Sequence, residues 1–199
     1  MKHIVIGRQY GSGGRDIGKI VGEKLNLPVY DKELITLASQ KSGVSEGYLN
    51  SLDEQGTANF FTALAQSANL LANSYMTISM NDQLFLLQSD IISQLAKKGP
   101  SVFVGRSADY VLKGTKHLSV FIHAPLEYRI KKVAKREKIS ENEAKALVAR
   151  VDRKRKSYYR HYTGRKWGDM QNFHLTLDSS VIPEEEIVKI IIEAYNAIN

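Results

Sequence analysis

A short apolar segment, His3-Ile4-Val5-Ile6, runs straight into Gly7-Arg8-Gln9-Tyr10-Gly11-Ser12-Gly13-Gly14-Arg15-Asp16-Ile17-Gly18. Four glycines within eight positions, Gly7, Gly11, Gly13 and Gly14, let the backbone turn its N–H groups onto one anion. The helical pattern that follows directs its positive dipole end at the same point. A strand, a glycine turn and a helix in this order make a phosphate cradle and point to an α/β architecture.

The usual cradle reads glycine, four residues, glycine, lysine, then serine or threonine; the lysine reaches the outer phosphates and the hydroxyl holds Mg²⁺. Neither that lysine nor that hydroxyl is in place here. With Gly11-Ser12-Gly13 laid on the end of the motif, Gly14 takes the lysine slot and Arg15 the hydroxyl slot. Shifted by one residue, Arg15 becomes the cation and Asp16 a candidate Mg²⁺ or water-mediated ligand. The shifted register is preferred because it keeps a positive charge against the phosphates. The expected phosphate-binding residues are thus Gly11, Ser12, Gly13, Gly14, Arg15 and Asp16.

Further strands are expected at 29–31, 101–104, 118–122 and 173–177, each short and ending in a glycine, proline or aspartate turn. Helices are expected at 14–25, from an Asp31 cap through Ala38, at 45–53, 60–71, 82–95 and 126–138, from a Ser140-Glu143 capping box through Val151, and at 184–198. Strands separated by helices imply a parallel sheet wrapped on both faces. At 199 residues the chain suits a single domain with a full core. It has no cysteine, which excludes disulfides and thiolate metal sites. The late apolar stretch, 187–198, is broken by Lys189 and Glu193, so no membrane span is expected, and the early apolar run is too short for a signal peptide. A cytoplasmic protein is the default expectation.

In an open parallel sheet, ligands bind beyond the carboxyl ends of the strands. The residues expected on that rim are the glycine loop, Asp31, Gly105-Arg106 with Asp109, His123 and Asp178-Ser179. Arg106 offers a bidentate fork for phosphate or a base edge, next to a glycine that permits close approach. Asp31 suits either a helix cap or a substrate or metal ligand. His123 reads as a hydrogen-bonded strand end.

The net charge of +7 is concentrated: residues 128–166 hold 15 Lys and Arg against 4 Asp and Glu, a balance of +11 that leaves −4 for the rest. Arg129, Lys132 and Arg136 fall near one helical face, and Asp152-Arg153-Lys154-Arg155-Lys156 precedes Tyr158-Tyr159. Such a segment suits nucleic acid, and equally a clamp over phosphates that neutralises a transferring group.

The loop at 8–18, Tyr30-Asp31-Lys32-Glu33-Leu34-Ile35, Val104-Gly105-Arg106-Ser107-Ala108-Asp109-Tyr110, the arginines at 129, 136 and 153 with Asp152, and Thr176-Leu177-Asp178-Ser179 together resemble the cytidylate-kinase-like branch of the nucleoside monophosphate kinases. The resemblance implies a P-loop NTPase three-layer fold, with a parallel sheet flanked by helices, an acceptor-binding insert at about 31–98 and a basic lid at about 126–166. It implies ATP and Mg²⁺ with a small-molecule nucleotide as acceptor, and phosphoryl transfer most readily to CMP or dCMP. By position, Asp31, Arg106 and Asp109 would bind the acceptor, and Arg15, Arg129, Arg136, Arg153 and Arg155 would be catalytic. The chain departs from true cytidylate kinases in lacking the loop lysine. The acceptor base and oligomeric state are not legible.

Two other readings compete. A dinucleotide-binding oxidoreductase would use the glycine loop with Asp31, but its third glycine or alanine falls on Asp16. A nucleotide- or nucleic-acid-binding protein without turnover would suit the missing lysine and the basic segment.

Overall fold

The computed structural model describes residues 1–31, 36–37 and 80–198. The expected helices at 45–53 and 60–71, and most of the one following Asp31, lie outside them. The chain divides into two compact units, Met1–Asp31 with Leu95–Asn199, and Lys32–Gln94.

All described strands belong to the first unit. They are β1 (His3–Arg8), β2 (Val29–Tyr30), β3 (Val102–Val104), β4 (His117–His123) and β5 (Leu175–Asp178). The helices are α1 (Gly14–Leu25), α2 (Met80–Lys98), α3 (Ala108–Val111), α4 (Leu126–Glu137), α5 (Glu141–Thr163) and α6 (Glu184–Ala197). The sheet order is β2-β3-β1-β4-β5 with every pairing parallel. β1 is therefore central, with Ile4 opposite both Val102 and Leu118.

Alternation along the strands divides the side chains between two faces. Ile4, Ile6, Val102, Val104, Leu118, Val120 and Ile122 share one core with Ile17 and Val21 of α1 and Ile187, Val188 and Ile191 of α6. Val5, Phe103 and Phe121 are buried on the other face. There Phe121 meets Phe173 with ring centres 4.9 Å apart and Trp167 edge-on at 5.5 Å.

α4 and α5 form a helical pair with a small core of its own, Ile130, Val133, Ala144 and Val148, against which Tyr10 of the glycine loop packs. The Ser140-Glu143 capping box is present in both directions. Several elements differ from expectation: α3 was not expected, α2 is longer at both ends, and two others differ for identifiable reasons. α5 does not stop near Val151 but runs on to a left-handed Gly164, because the charged run consists of good helix formers and Tyr159 anchors it in the interior. β5 begins at Leu175 rather than Phe173, since Phe173 closes a 3₁₀ turn over Met170–Asn172 and its ring fills the space beside Gly7.

Candidate active site

The glycine loop leaves the carboxyl end of the central strand, where there are neighbours on both sides. Gly11 and Gly13 both have φ of +83°, and Gly13 caps α1, whose first residue is Gly14. The loop is fastened from below. The buried Ser12 hydroxyl bonds to the carbonyls of Gln9 at 2.9 Å and Ile122 at 3.1 Å. The Ser179 hydroxyl donates to the Ser12 carbonyl at 2.7 Å. Ala124 N–H donates to Gln9 Oε1 at 3.1 Å. Ser12 thus shapes the loop through its hydroxyl.

Two carboxylates organise the surrounding guanidinium groups. Asp31, 7% exposed, accepts from Arg15 Nε at 2.7 Å and Arg8 Nη2 at 3.2 Å. Asp152 accepts from Tyr10 N–H at 2.8 Å and Arg129 Nη1 at 2.5 Å. Arg129 is buried and also donates to the carbonyls of Ala124 and Tyr10 at 2.9 and 3.1 Å. It therefore ties the helical pair to the loop. The guanidinium groups of Arg136 and Arg155 lie 5.0 and 5.6 Å from the centre of the Tyr10 ring, and the Tyr10 hydroxyl donates to Glu137 at 3.2 Å. Burial pushes the Tyr10 phenol up, against the opposing pull of Arg136. Arg155 also donates to the Arg8 carbonyl at 3.0 Å.

On the β5 side, a cavity of about 200 Å³ is lined by Ser12, Tyr128, Lys132 and residues 179–184. Lys132 Nζ comes so close to Gly13 that a Cβ there would lie 2.8 Å from it. On the β3 side, Gly105, Arg106 and Ser107 have φ of +77°, +59° and +52°, three left-handed residues in succession. Just beyond, buried Asp109 accepts from the Tyr159 hydroxyl at 2.7 Å, and burial raises the pKa of both groups.

The family model that matches this chain, the cytidylate kinase-like family, covers residues 3–181. The chain belongs to that family. A cytidylate kinase of Sulfolobus acidocaldarius is 23% identical over 191 residues, covering 95% of this chain and 91% of its own. Among solved structures, an uncharacterized protein from Eubacterium ventriosum matches with a TM-score of 0.72 at 24% identity, over 100% of both chains. A shikimate kinase from Bacteroides thetaiotaomicron matches with a TM-score of 0.56 at 14% identity, over 98% of each chain. The fold is that of the P-loop kinases, and family membership makes the chain a nucleoside monophosphate kinase-like phosphotransferase.

Within this cytidylate kinase-like frame the expected residues fall into groups. Gly11, Ser12, Gly13 and Gly14 form the loop, and Arg15 joins Asp31 at its mouth. Arg129, Arg136 and Arg155 gather around Tyr10, whereas Arg153 is exposed on α5. Arg106 lies on the β3 rim and Asp109 faces Tyr159. Asp16 is exposed on the first turn of α1. Among the described residues no group of three or more His, Asp or Glu could hold a metal. Asp31, Asp109, Asp152 and Asp178 are engaged with protein partners. This donor set suits a Mg²⁺ that would keep its waters, with Asp16 the exposed carboxylate on the first turn of the helix that follows the loop. Arg8 and Tyr10 carry no expected role of their own in the sequence, and Lys132 is expected only as part of the basic helical face. Their signal was an arginine at the strand end, an aromatic in the loop and a lysine one helical turn after Tyr128.

Proposed function

We propose that this cytidylate kinase-like protein transfers the terminal phosphoryl group of ATP, with Mg²⁺, to a nucleoside monophosphate, CMP or dCMP before others. The observation that carries the reading is the placement of the glycine loop at the end of the central strand. A pocket lies on its β5 side, and the Arg106 rim lies on its β3 side. The relatives named cytidylate kinase support the choice of acceptor.

Backbone N–H groups of Gly11 to Gly14 and the start of α1 receive the donor phosphates. The pocket beside Tyr128 and Lys132 takes the donor's base. Arg106 holds the acceptor phosphate, with Asp31 and Asp109 setting the shape of that side. An acceptor oxygen attacks the terminal phosphorus in line, the bond to the bridging oxygen breaks, and its electron pair stays on the diphosphate. The acceptor phosphate is already ionised near neutral pH, so no general base is needed. Arg15 acts from the loop mouth, and Arg136, Arg153 and Arg155 act from the lid by neutralising the moving group and excluding water. Arg129 acts through the loop backbone, as a positioning residue. Asp16, with water, would hold Mg²⁺, which would supply charge neutralisation on the phosphate oxygens.

ADP release is measured with CMP, dCMP, UMP, AMP, GMP and several phosphorylated metabolites, alongside Arg15→Ala and Arg106→Ala. Turnover that requires a particular monophosphate supports the reading. RNA binding that weakens steeply with salt, without any turnover, favours the non-catalytic alternative.

A further inference from the structure

The phosphate loop has exchanged its two ends. The usual motif opens on a glycine and, after four residues and a second glycine, closes on a lysine. In the register set by Gly11-Ser12-Gly13, this chain opens on Arg8, passes through Gln9, Tyr10, Gly11 and Ser12 to Gly13, and closes on Gly14. The start of α1 at Gly14, capped by Gly13, supports that register in place of the one shifted by one residue that the sequence favours.

The exchange has a steric cause. A Cβ on Gly14 would lie 2.6 Å from Arg8 Cβ and 3.3 Å from Arg8 Cγ, so only one of the two slots can carry a side chain. Gly14 is not among the residues with positive φ, so space and not backbone geometry demands glycine there. The Arg8 side chain then runs across Gly105, where any Cβ would fall on Arg8 Nη1. Its Nη2 donates to Asp31 at 3.2 Å. Glycines at 14 and 105 thus make room for one arginine side chain, Gly14 beside its Cβ and Cγ and Gly105 beside its guanidinium, which reaches from the phosphate loop to the rim carrying Arg106.

We propose that Arg8 is the phosphate-binding cation of this loop and does from the first slot what lysine does from the last. The inference rests on the kinase reading above. Arg8 donates hydrogen bonds to oxygens of the transferring phosphoryl group and keeps its protons throughout. The bond from phosphorus to the donor's bridging oxygen breaks as the bond from the acceptor oxygen forms. Asp31 is the positioning residue that holds the guanidinium toward the β3 rim, and Arg15 reinforces the charge from the mouth.

The test is a reciprocal exchange: Arg8→Gly, Gly14→Lys and the double variant, with Arg8→Lys and Arg8→Met as further probes. ATP affinity by calorimetry, turnover with the best acceptor and thermal unfolding are measured on each. Arg8→Gly is expected to lose about 10²–10³-fold in kcat, the scale of removing one preorganised donor. Gly14→Lys alone is expected to be inactive and less stable. The double variant, relieved of the Arg8 Cβ and Cγ and with Ile122 Cβ at 3.1 Å the next contact of the new Cβ, is expected to recover at least about tenfold in kcat over Arg8→Gly and to regain ATP affinity. A folded double variant no better than Arg8→Gly overturns the proposal. So does Arg8→Gly with the parent's turnover. If the double variant does not fold, Arg8→Lys must exceed Arg8→Met in turnover, and equality overturns the proposal. If the parent turns over no acceptor, the kinase reading fails by itself. ATP affinity then decides: a loss in Arg8→Gly that the double variant restores supports the assignment, and unchanged affinity refutes it.

Discussion

Arg129 Nη1 stands 2.5 Å from Asp152 Oδ2, and the same carboxylate accepts the Tyr10 N–H at 2.8 Å. One acid on α5 therefore fixes an arginine on α4 and the backbone of the glycine loop together. Both side chains are largely buried, at 8% and 17% exposure, so neither charge can be left alone without cost.

Asp152→Ala is expected to destabilise the protein by about 3–5 kcal/mol, because it strands the Arg129 charge and orphans the Tyr10 N–H. Asp152→Asn, which keeps an acceptor, should lose less. Urea unfolding measures both. A loss below about 1 kcal/mol for Asp152→Ala would show that the pair is a surface contact in energetic terms.

Gly11→Ala places a Cβ 2.9 Å from the Arg129 carbonyl oxygen and from Val133 Cγ2, at a φ of +83°. The carbonyl cannot swing aside, so a loss of about 1–3 kcal/mol is expected, together with weaker ATP binding. Gly114→Ala meets nothing within 4 Å and serves as the control, with a change expected within about 0.5 kcal/mol. Equal unfolding midpoints for the two variants would contradict the loop geometry.

Arg106→Gly separates strain from function. A left-handed φ of +59° costs a side chain about 1–2 kcal/mol, which glycine relieves while adding freedom to the unfolded chain. Stability is expected to stay within about 1 kcal/mol of the parent, whereas turnover falls by about 10²–10³-fold with a raised KM for the acceptor. Steady-state kinetics with matched thermal melts tests this. Unchanged KM and kcat would remove Arg106 from the acceptor site.

At the opposite end of the strands, His3 and His174 both have lowered pKa values. Burial is the main cause, with His117 nearby, and the N-terminal amine adds to it at His3. The unfolded chain binds these protons more readily than the folded one, so their contribution is complete above the unfolded pKa of about 6.5 and is lost as pH falls below it. Thermal midpoints should therefore drop between pH 7 and pH 5, less steeply in His3→Gln. The same slope in both proteins would exclude His3 as a source.

How much of this was legible follows from where the determinants sit along the chain. The first strand, the loop and α1 were readable because an apolar segment, closely spaced glycines and a helical stripe are all local. α1 occupies 14–25 as expected. The capping box at Ser140 was readable for the same reason, but the length of α5 was not, since its second half is held by Asp152 and Tyr159 contacting residues far away in sequence. Tyr10 and Asp152 are 142 positions apart, and no periodicity links them. Asp31 was expected on the rim, but a sequence does not reveal that Arg8 and Arg15 converge on it. Arg8 is hidden in the sequence because the motif carries its cation in the last slot and not the first. The contact between the first slot and the last exists only in three dimensions.

The most direct test of the phosphotransferase reading is acceptor-dependent ADP release. With ATP and Mg²⁺ present, CMP or dCMP is expected to stimulate ATP consumption well above the acceptor-free rate, with formation of the corresponding diphosphate. No stimulation by any monophosphate or phosphorylated metabolite in the panel, from a folded protein that binds ATP, would contradict it.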